Sequence, residues 1–403
     1  MPAKTVLIIA DFGYVEGGAA KVALDSVRLL HKNGYRVILF CGSDRIDSAI
    51  EDLGARIVKL GMHQLVDNPS KLRAMVDGIW NRIAANKLRA LLSELDPQGT
   101  VVHIHSWTKI LSPSIFSVLR KSGFKTVMTA HDYFLACPNG AFYDYVHQRL
   151  CTFHGGGLRC LFCNCDVRNY PQKIWRWVRQ CVVTYQIKRF SQLTLLTISE
   201  LNNRILKKEV AGKHEFVRVN NPMEISCDNT NLIIDKTDFI FVGRASPEKG
   251  LDLFVKAVTE CGVHGVVLGD GKVLPKLRSC YPSVEYLGWV HPSRVRNIIR
   301  SRAAVFVFPS RWYETAGLSP LEAMAEGVPC IISDVTTASE YIEDGTTGLL
   351  FKSGNIDDLK QKIEMMKDVK FRQALSDNIR AMFDIEKWSQ ATYVRSLNDL
   401  YCC

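Results

Sequence analysis

The chain has 403 residues, of which 47% are hydrophobic and 23% are charged; this composition is ordinary for a globular protein, and the length suggests two domains at about 100–200 residues per domain. No apolar run approaches the roughly 18 residues that a membrane span needs, so the sequence predicts no transmembrane helix. The net charge of +10 is uneven, since residues 1–200 carry 25 Lys and Arg against 15 Asp and Glu, whereas residues 201–403 carry 26 of each. The first half is therefore expected to meet something anionic: a phosphate-bearing substrate, a membrane surface or nucleic acid.

Cysteine is frequent in this sequence, with 13 residues. The segment Met1–Thr5 is short and polar, and the apolar run after it is only long enough for a strand, so we expect no secretory leader. Thiols without a leader favour the reducing cytoplasm, where most are expected to be buried and unpaired. The sequence thus predicts a cytoplasmic protein, peripheral on the inner face of the membrane if the basic half binds lipid.

The first half alternates strands and helices in the order of a parallel α/β domain. The sequence predicts strands at 4–10, 36–41, 56–60, 101–105, 126–130 and 193–198. It predicts helices at about 19–33, 71–95, 113–122 and 172–191. Strand ends and helix starts of such a domain are where functional residues are expected.

Two places in this half meet that expectation. Gly17 and Gly18 lie in the first strand-to-helix turn, where backbone N–H groups could face a phosphate; the alternative is a tight turn with close helix packing. His131 follows the carboxyl end of a strand. A functional and a purely structural histidine are both open at that position.

Residues 134–170 interrupt the α/β alternation and hold five cysteines. The Cys160-x-x-Cys163 spacing is typical of metal ligands, and two further cysteines, Cys137 and Cys151, precede it. These four thiolates could close a structural zinc site. The alternative is a loop that contains reduced thiols.

The predicted helix at 172–191 mixes tryptophan with basic side chains. Trp175, Val178 and Tyr185 are among its apolar residues, and Lys173 and Arg179 are among its basic ones. Tryptophan with Lys and Arg on one helix suits an anionic membrane interface. A helix packed on the core, with its basic face in water, fits the same pattern.

A polar stretch at 224–238 is predicted to link the two domains, so that the first spans 1–222 and the second 223–403. The second half resumes the α/β order. Strands are predicted at 239–242, 266–268, 284–287, 305–308 and 330–332, and helices start near 250, at about 293 and before 321, with a helical tail at 356–400.

One βαβ unit of the second half carries two acids. Glu314 lies in the loop before a helix and Glu322 lies on that helix, eight residues later. A carboxylate can accept two hydrogen bonds from neighbouring hydroxyls of a ribose or hexose. Gly317 would let the backbone approach a phosphate at the start of the helix. The alternative is a pair of solvated glutamates stabilised by the helix dipole.

The first turn of the second half carries two cations, Arg244 and Lys249. A guanidinium and an ammonium at this edge can hold a diphosphate. They could also offset the charge of a diphosphate leaving group without a metal ion, and the sequence has no Asp-x-Asp pattern that would hold one. Ordinary surface charges are the alternative.

Taken together, these segments resemble family-4 retaining glycosyltransferases (glycosyl transferases group 1) of the GT-B fold. The resemblance covers most of the chain. It is strongest in Val242-Gly-Arg-x5-Gly250, Gly269-Asp-Gly271, Glu285-Tyr-Leu-Gly288 and Glu314-x7-Glu322, together with the Glu340-x4-Gly345-x2-Gly348 segment. It implies an α/β fold of two Rossmann-like doubly wound domains facing across a cleft, with the last helix returning to the N-terminal, acceptor-binding domain.

The resemblance also implies roles for single residues. Arg244 and Lys249 would bind the nucleotide diphosphate, Glu314 the donor sugar and Glu322 the ribose hydroxyls. Gly317 and Leu318 would lie against the phosphates. His131 would sit by the donor sugar and help the transfer, and Gly17 and Gly18 would line the site near the diphosphate and acceptor. Transfer would retain the anomeric configuration and would need no metal ion or other cofactor for chemistry.

The sequence therefore predicts a glycosyltransferase of cell-surface polysaccharide or glycoconjugate biosynthesis. Its partners would be a nucleotide-diphosphate sugar and a saccharide acceptor, lipid-linked, with an anionic membrane surface near by. A non-catalytic sugar-nucleotide or glycan-binding subunit of the same fold is the alternative, although Arg244, Lys249 and Glu314 are all present. A nucleic-acid binder fits the charge but lacks a recognition motif, so no nucleic acid is expected.

Overall fold

The structure is a computed structural model that describes residues 5–210, 212–223 and 235–402. Within these ranges the chain forms two compact units. The first comprises the described residues of Met1–Ala141, Thr152–Pro222 and Lys387–Cys403, and the second comprises those of Phe142–Cys151 and Met223–Glu386. Most of the predicted linker, 224–234, lies outside the described residues.

Strands and helices alternate along most of both units. The strands are β1 Thr5–Ala10, β2 Arg36–Cys41, β3 Arg56–Lys59, β4 Thr100–Ile104, β5 Lys125–Thr129, β6 Tyr143–Asp144, β7 Arg149–Leu150, β8 Thr194–Thr197, β9 Glu215–Arg218, β10 Asp238–Val242, β11 Gly265–Leu268, β12 Glu285–Gly288, β13 Ala303–Phe308, β14 Cys330–Ser333 and β15 Gly348–Phe351. The helices are α1 Gly18–Lys32, α2 Ser48–Glu51, α3 Lys71–Ile79, α4 Arg82–Leu92, α5 Ser114–Leu119, α6 Leu158–Phe162, α7 Tyr170–Ile187, α8 Glu200–Glu209, α9 Leu251–Glu260, α10 Leu274–Cys280, α11 Pro292–Arg302, α12 Leu318–Ala325, α13 Ile356–Met365, α14 Val369–Met382 and α15 Gln390–Cys402.

Each unit is built on one parallel sheet. The first has seven strands in the order β3-β2-β1-β4-β5-β8-β9, and the second has six in the order β12-β11-β10-β13-β14-β15. All six residues of β1 and of β13 are buried, as expected for apolar central strands covered on both faces by helices. The order reverses beside β1 and beside β10, which makes each sheet doubly wound. The predicted α/β fold with two Rossmann-like domains is confirmed.

The segment 142–151, which the sequence boundary placed in the first domain, belongs to the second unit. It forms a short antiparallel hairpin of β6 and β7. Gln148 in its turn lies 3.5 Å from Nη1 of Arg311, and Arg149 and Leu150 line a shared surface depression with Lys352. These contacts between distant parts of the chain leave no signal in the local sequence pattern.

The last helix, α15, packs in the first unit. The Tyr401 hydroxyl lies 2.6 Å from Nδ1 of His103, and the Tyr393 hydroxyl lies 2.8 Å from Oγ of Ser26. Both tyrosines are buried. Helix α15 therefore contributes side chains to the core of the sheet formed by the N-terminal strands.

The prediction of a single helix at 71–95 is wrong, because the structure has two helices there, α3 and α4. Asn81 separates them and caps α4, since its side chain accepts a hydrogen bond from the Ala84 N–H. Its own N–H donates to Oγ of Ser112 and its side-chain amide donates to the Ile110 carbonyl. These buried bonds to a distant loop favour the break.

Helix α7 does not present all its basic residues to water. Lys173 is 0% exposed and Arg179 is 7% exposed, whereas Val178 and Tyr185 are more than 40% exposed. The expectation of a solvated basic face is therefore wrong for these two cations. Lys173 Nζ lies 3.1 Å from Sγ of Cys160 and 3.3 Å from Sγ of Cys165.

Candidate active site

The loop between β13 and α12 brings the predicted Glu314 to the carboxyl end of the second sheet. Gly317 closes this loop as the cap of α12, with φ at 60°, a left-handed conformation that favours glycine. A Cβ at this position would lie 3.1 Å from Cβ of Ala338. Leu318 is the first residue of α12, so the N-terminal N–H groups of the helix follow Gly317 directly.

Three side chains contact one oxygen of Glu314. Oγ of Ser310 donates to Oε1 at 2.9 Å and Nε1 of Trp312 donates at 2.7 Å. The ammonium of Lys249 contacts the same oxygen. Glu314 is only 7% exposed, and its backbone carbonyl accepts a hydrogen bond from Oγ1 of Thr337. Charge-assisted hydrogen bonds of this kind hold the carboxylate in one place. The described contacts all go to Oε1, so Oε2 can accept from a further donor.

Lys249 reaches Glu314 because of the turn at Gly250. Gly250 has φ at 71° and caps α9, and a Cβ there would lie 2.0 Å from the carbonyl oxygen of Pro309. Only glycine lets the turn after β10 approach the loop after β13 so closely. The Lys249 ammonium also lies 5.4 Å from the ring centre of Trp312. An ammonium over an indole face is a favourable cation–π contact.

Arg244 remains open to ligands. Its side chain is 71% exposed, and Nη2 lies 3.4 Å from Oε1 of Glu248. Glu248 is buried and also accepts a hydrogen bond from Oγ of Ser246 at 2.7 Å. A buried carboxylate thus anchors one edge of the guanidinium, whereas the rest faces water. Glu322 lies on α12 and is partly buried.

His131 in the first unit belongs to a group of three histidines at the ends of β4 and β5. Its Nε2 lies 3.1 Å from Nδ1 of His105, and the two rings stack. His105 in turn packs on His103. Burial lowers the pKa of His131 to about 4 and the pKa of His103 to about 3. At neutral pH these rings are therefore uncharged hydrogen-bonding groups.

Gly17 and Gly18 mark the start of α1, as predicted for the first turn. Gly17 caps the helix with φ at 108°. No heavy atom of the described residues lies within 4 Å of a Cβ built on either glycine, with their chain neighbours and the backbone of the helix set aside. The backbone conformation, and not crowding, therefore favours glycine at position 17.

The four predicted zinc ligands are not arranged as a metal site. In the described ranges, no group of three or more His, Cys, Asp or Glu side chains is positioned to hold a metal ion. Cys160 and Cys165 contact the ammonium of Lys173, and Cys137 Sγ lies 3.1 Å from Oδ1 of Asn139. A structural zinc ion stays a prediction that elemental analysis of the purified protein would check.

The structure thus brings Lys249 and Glu314 together and places Arg244 in the same turn as Lys249. Three contact residues were not predicted from the sequence: Trp312 and Thr337, which hold Glu314, and His105, which contacts His131. His105 ends the apolar run 101–105 just as His131 follows the next strand. That shared position was an available signal, whereas nothing in the local pattern indicates Trp312 or Thr337.

Two family profiles match the chain. The profile of glycosyl transferases group 1 matches residues 228–382, and that of glycosyltransferase family 4 matches residues 16–182. Between them they include every predicted site residue.

No helix of the described residues combines the length and apolar character needed to cross a membrane.

Proteins of similar sequence are named as glycosyltransferases. An uncharacterized glycosyltransferase of Methanocaldococcus jannaschii is 30% identical over 37% of this chain and 45% of its own length. An Escherichia coli protein, UDP-Gal:alpha-D-GlcNAc-diphosphoundecaprenol alpha-1,3-galactosyltransferase, is 27% identical over 42% of this chain and 47% of its own length. The matched part spans about half the length of these relatives.

A solved structure matches almost the whole chain. Anabaena HepE, in complex with UDP and glucose, superposes with a TM-score of 0.69 over 98% of this chain and 99% of its own. Its sequence is 14% identical, so this likeness concerns the fold.

Proposed function

Because the chain belongs to the family-4 glycosyltransferases, the group 1 transferases of the GT-B fold, we propose that it moves a sugar from a nucleotide-diphosphate sugar to a lipid-linked saccharide with retention of the anomeric configuration. The observation that carries this proposal is the Lys249–Glu314 pair beside the exposed guanidinium of Arg244. The arrangement supplies two cations for a diphosphate and one oriented carboxylate for sugar hydroxyls.

The charges suit a reaction without a divalent ion. As the bond between sugar and diphosphate breaks, negative charge grows on the leaving diphosphate. Arg244 and Lys249 can stabilise that charge directly, because one guanidinium edge is exposed and the ammonium is fixed by the turn at Gly250. The N–H groups at the start of α12, after Gly317, add positive potential. Glu322 on α12 is assigned to the ribose hydroxyls.

The donor sugar is assigned to Glu314 of the second unit. Oε1 of Glu314 is occupied by its three neighbours, which leaves Oε2 to accept from sugar hydroxyls. The family resemblance gives His131 of the first unit a part in the transfer, and its neutral ring can donate or accept a hydrogen bond without carrying a charge. Each group acts by positioning and electrostatic stabilisation.

A lipid-linked acceptor is supported by the first unit. The basic excess lies in the first half of the chain. Helix α3 exposes Leu72 (78%), Val76 (65%) and Met75 (52%) beside Lys71 and Arg73. Adjacent apolar and basic side chains on one helix suit an anionic membrane surface. The E. coli relative is named for a diphosphoundecaprenol acceptor, which agrees in chemistry.

Two experiments test the proposal. Incubation with UDP- and GDP-sugars and with lipid-diphosphate saccharides should give a product whose anomeric configuration, read by NMR, equals that of the donor; no transfer from any donor would contradict it.

Flotation on anionic vesicles should be salt-sensitive and weaker in Leu72→Asp. The control Lys208→Glu also makes the protein more negative, at an exposed position on α8. It therefore separates the loss of an apolar contact on α3 from a general change of charge.

A further inference from the structure

A pocket of about 430 Å³ opens between α3 and α7 of the first unit. Its apolar wall comes from both helices and from the segment after β5, and includes Ala74, Met75, Phe134 and Trp175. Trp175 is fixed in place, because its Nε1 donates to the Met75 carbonyl at 3.0 Å. The pocket is therefore a built feature of the α3–α7 contact.

The charged side chains that line the pocket, among the residues the structure describes, are all cations. They are Lys71, Arg168, Arg176 and Arg179. Arg176 pairs with the buried Asp166 at 3.3 Å. Arg168 is exposed at the rim. Apolar walls with a positive charge excess fit a ligand that has an anionic end and an apolar chain.

Arg179 is the strongest sign of an anionic ligand. It is 7% exposed and lies between two indoles, with its guanidinium carbon 5.2 Å from the ring centre of Trp107 and 5.7 Å from that of Trp175. Nη2 donates to the Thr108 carbonyl at 2.7 Å. Nε is buried and has no hydrogen-bond partner among the described residues. The carboxyls of Asp11 and Asp132 favour the charged form of Arg179, but a buried N–H donor without an acceptor is costly unless a ligand supplies one.

The pocket lies where the fold places ligands. Phe134 follows β5 and Leu65 follows β3, so the lining segments come from the carboxyl edge of the sheet. The exposed residues Leu72, Met75 and Val76 of α3 belong to the helix that forms one wall. A chain that leaves the pocket would therefore meet apolar side chains.

We propose that this α3–α7 pocket binds the phosphate-bearing end of the acceptor lipid. The inference rests on the proposed function and assigns the acceptor's diphosphate to Arg179, Arg168 and Lys71, and its first isoprenoid units to Met75 and Trp175. The shared chemistry is a phosphate group joined to an apolar chain. Free phosphate, a phospholipid headgroup and an isoprenoid diphosphate differ in the group attached to the phosphate, so probes can separate them.

Titration calorimetry with short probes tests the assignment. Farnesyl diphosphate should bind the parent at least about tenfold more tightly than inorganic pyrophosphate or farnesol, because only the first uses both halves of the pocket. Equal binding of pyrophosphate and farnesyl diphosphate would show a phosphate site alone and would overturn the proposal. Equal binding of farnesol, or tighter binding of a soluble short-chain phosphatidylglycerol, would also overturn it.

Three variants locate the binding. Arg168→Glu at the rim and Ala74→Trp in the wall should each weaken farnesyl diphosphate about tenfold or more. Lys208→Glu makes the same charge change on α8 and should leave binding unchanged. Arg179→Ala should have the largest effect, and if it does not fold, the exposed Arg168 still decides. Unchanged binding in both Arg168→Glu and Ala74→Trp would refute the site.

Nucleotide binding separates this proposal from the proposed function. UDP or GDP should raise the thermal midpoint of Arg168→Glu and Ala74→Trp as much as that of the parent, because their donor residues are intact. Loss of transfer to lipid-linked acceptors with intact nucleotide binding therefore tests the pocket. Absence of nucleotide binding in the parent would instead contradict the proposed function.

Discussion

The ammonium of Lys249 contacts Oε1 of Glu314, an oxygen that also accepts hydrogen bonds from Ser310 and Trp312. The two residues are 65 positions apart, and the left-handed turn at Gly250 makes the contact possible. Each partner satisfies the other's charge in a largely buried place. The pair is thus both a structural connection between two loops and, on the proposed function, the junction of the diphosphate and sugar subsites.

Replacement of Glu314 by glutamine should separate chemistry from nucleotide binding. Glu314→Gln keeps the volume and loses the charge, so transfer should fall about 100-fold or more. The thermal shift caused by the nucleoside diphosphate should persist, because the residue is assigned to the sugar. Glu260→Gln, an exposed acid on α9, is the matched control. A variant that transfers as fast as the parent would refute the assigned role.

Removal of the Lys249 ammonium should affect binding and chemistry together. Lys249→Ala takes away a diphosphate contact and leaves the buried Glu314 without its cation, so both the nucleotide thermal shift and transfer should drop, transfer by about 100-fold. Lys256→Ala on α9, where the lysine is exposed, should change neither. Full nucleotide binding by Lys249→Ala would show that its role in the diphosphate site is wrong.

Substitution of Gly250 should destabilise the second unit. In Gly250→Ala the new Cβ would lie 2.0 Å from the Pro309 carbonyl, on top of the strain of a φ near 71°. Gly262 has a similar φ of 64° but no heavy atom of the described residues within 4 Å of a built Cβ. Gly262→Ala should therefore cost only about 1 kcal/mol, and Gly250→Ala clearly more. Equal unfolding midpoints in denaturant would contradict the close approach.

Acid should destabilise the first unit. Burial lowers the pKa of His103 to about 3 and of His131 to about 4, and lowers that of His105. In the unfolded chain these histidines have a pKa of about 6.5, so below that pH the unfolded chain binds more protons than the folded chain. Their contribution to the free energy of unfolding is therefore complete above that pH and is lost as the pH falls toward 4. Burial raises the pKa of Asp132 to about 6 and also that of Asp11, which oppose the trend.

Three histidines oppose two acids, so the free energy of unfolding should fall as the pH drops from about 6 to about 4. Asp132→Asn removes an acid that opposes the histidines, so the free energy of unfolding should fall more steeply between about pH 6 and 4. His131→Asn removes one histidine, so the free energy of unfolding should fall less steeply. Denaturant unfolding at several pH values measures each slope. Equal slopes in the parent and both variants would show that these groups titrate alike in the folded and unfolded chains.

The predictable part of the molecule followed from local pattern. The apolar runs that became β1, β10 and β13 were visible in the sequence, and glycines marked the turns at Gly17, Gly250 and Gly317. Parallel strands place their carboxyl ends on one edge, so residues after those strands were correctly expected to gather. The Lys249–Glu314 contact agrees with that expectation.

The unpredicted part depended on contacts between distant segments. The break at Asn81 rests on Ser112 and Ile110, about 30 positions away. The burial of Lys173 depends on Cys160 and Cys165, of which only Cys160 is among the four predicted zinc ligands. Local periodicity carries no information about such pairings, and a lysine in an amphipathic pattern is expected in water.

The proposed function is tested most directly by the transfer of a labelled sugar from a nucleotide-diphosphate donor to a lipid-diphosphate saccharide, measured side by side in the parent, Glu314→Gln and Lys256→Ala. We expect a product with the donor's anomeric configuration from the parent and from Lys256→Ala, and about 100-fold less from Glu314→Gln. Nucleotide-sugar binding by the parent without transfer to any acceptor would contradict it and would indicate a non-catalytic sugar-nucleotide-binding subunit.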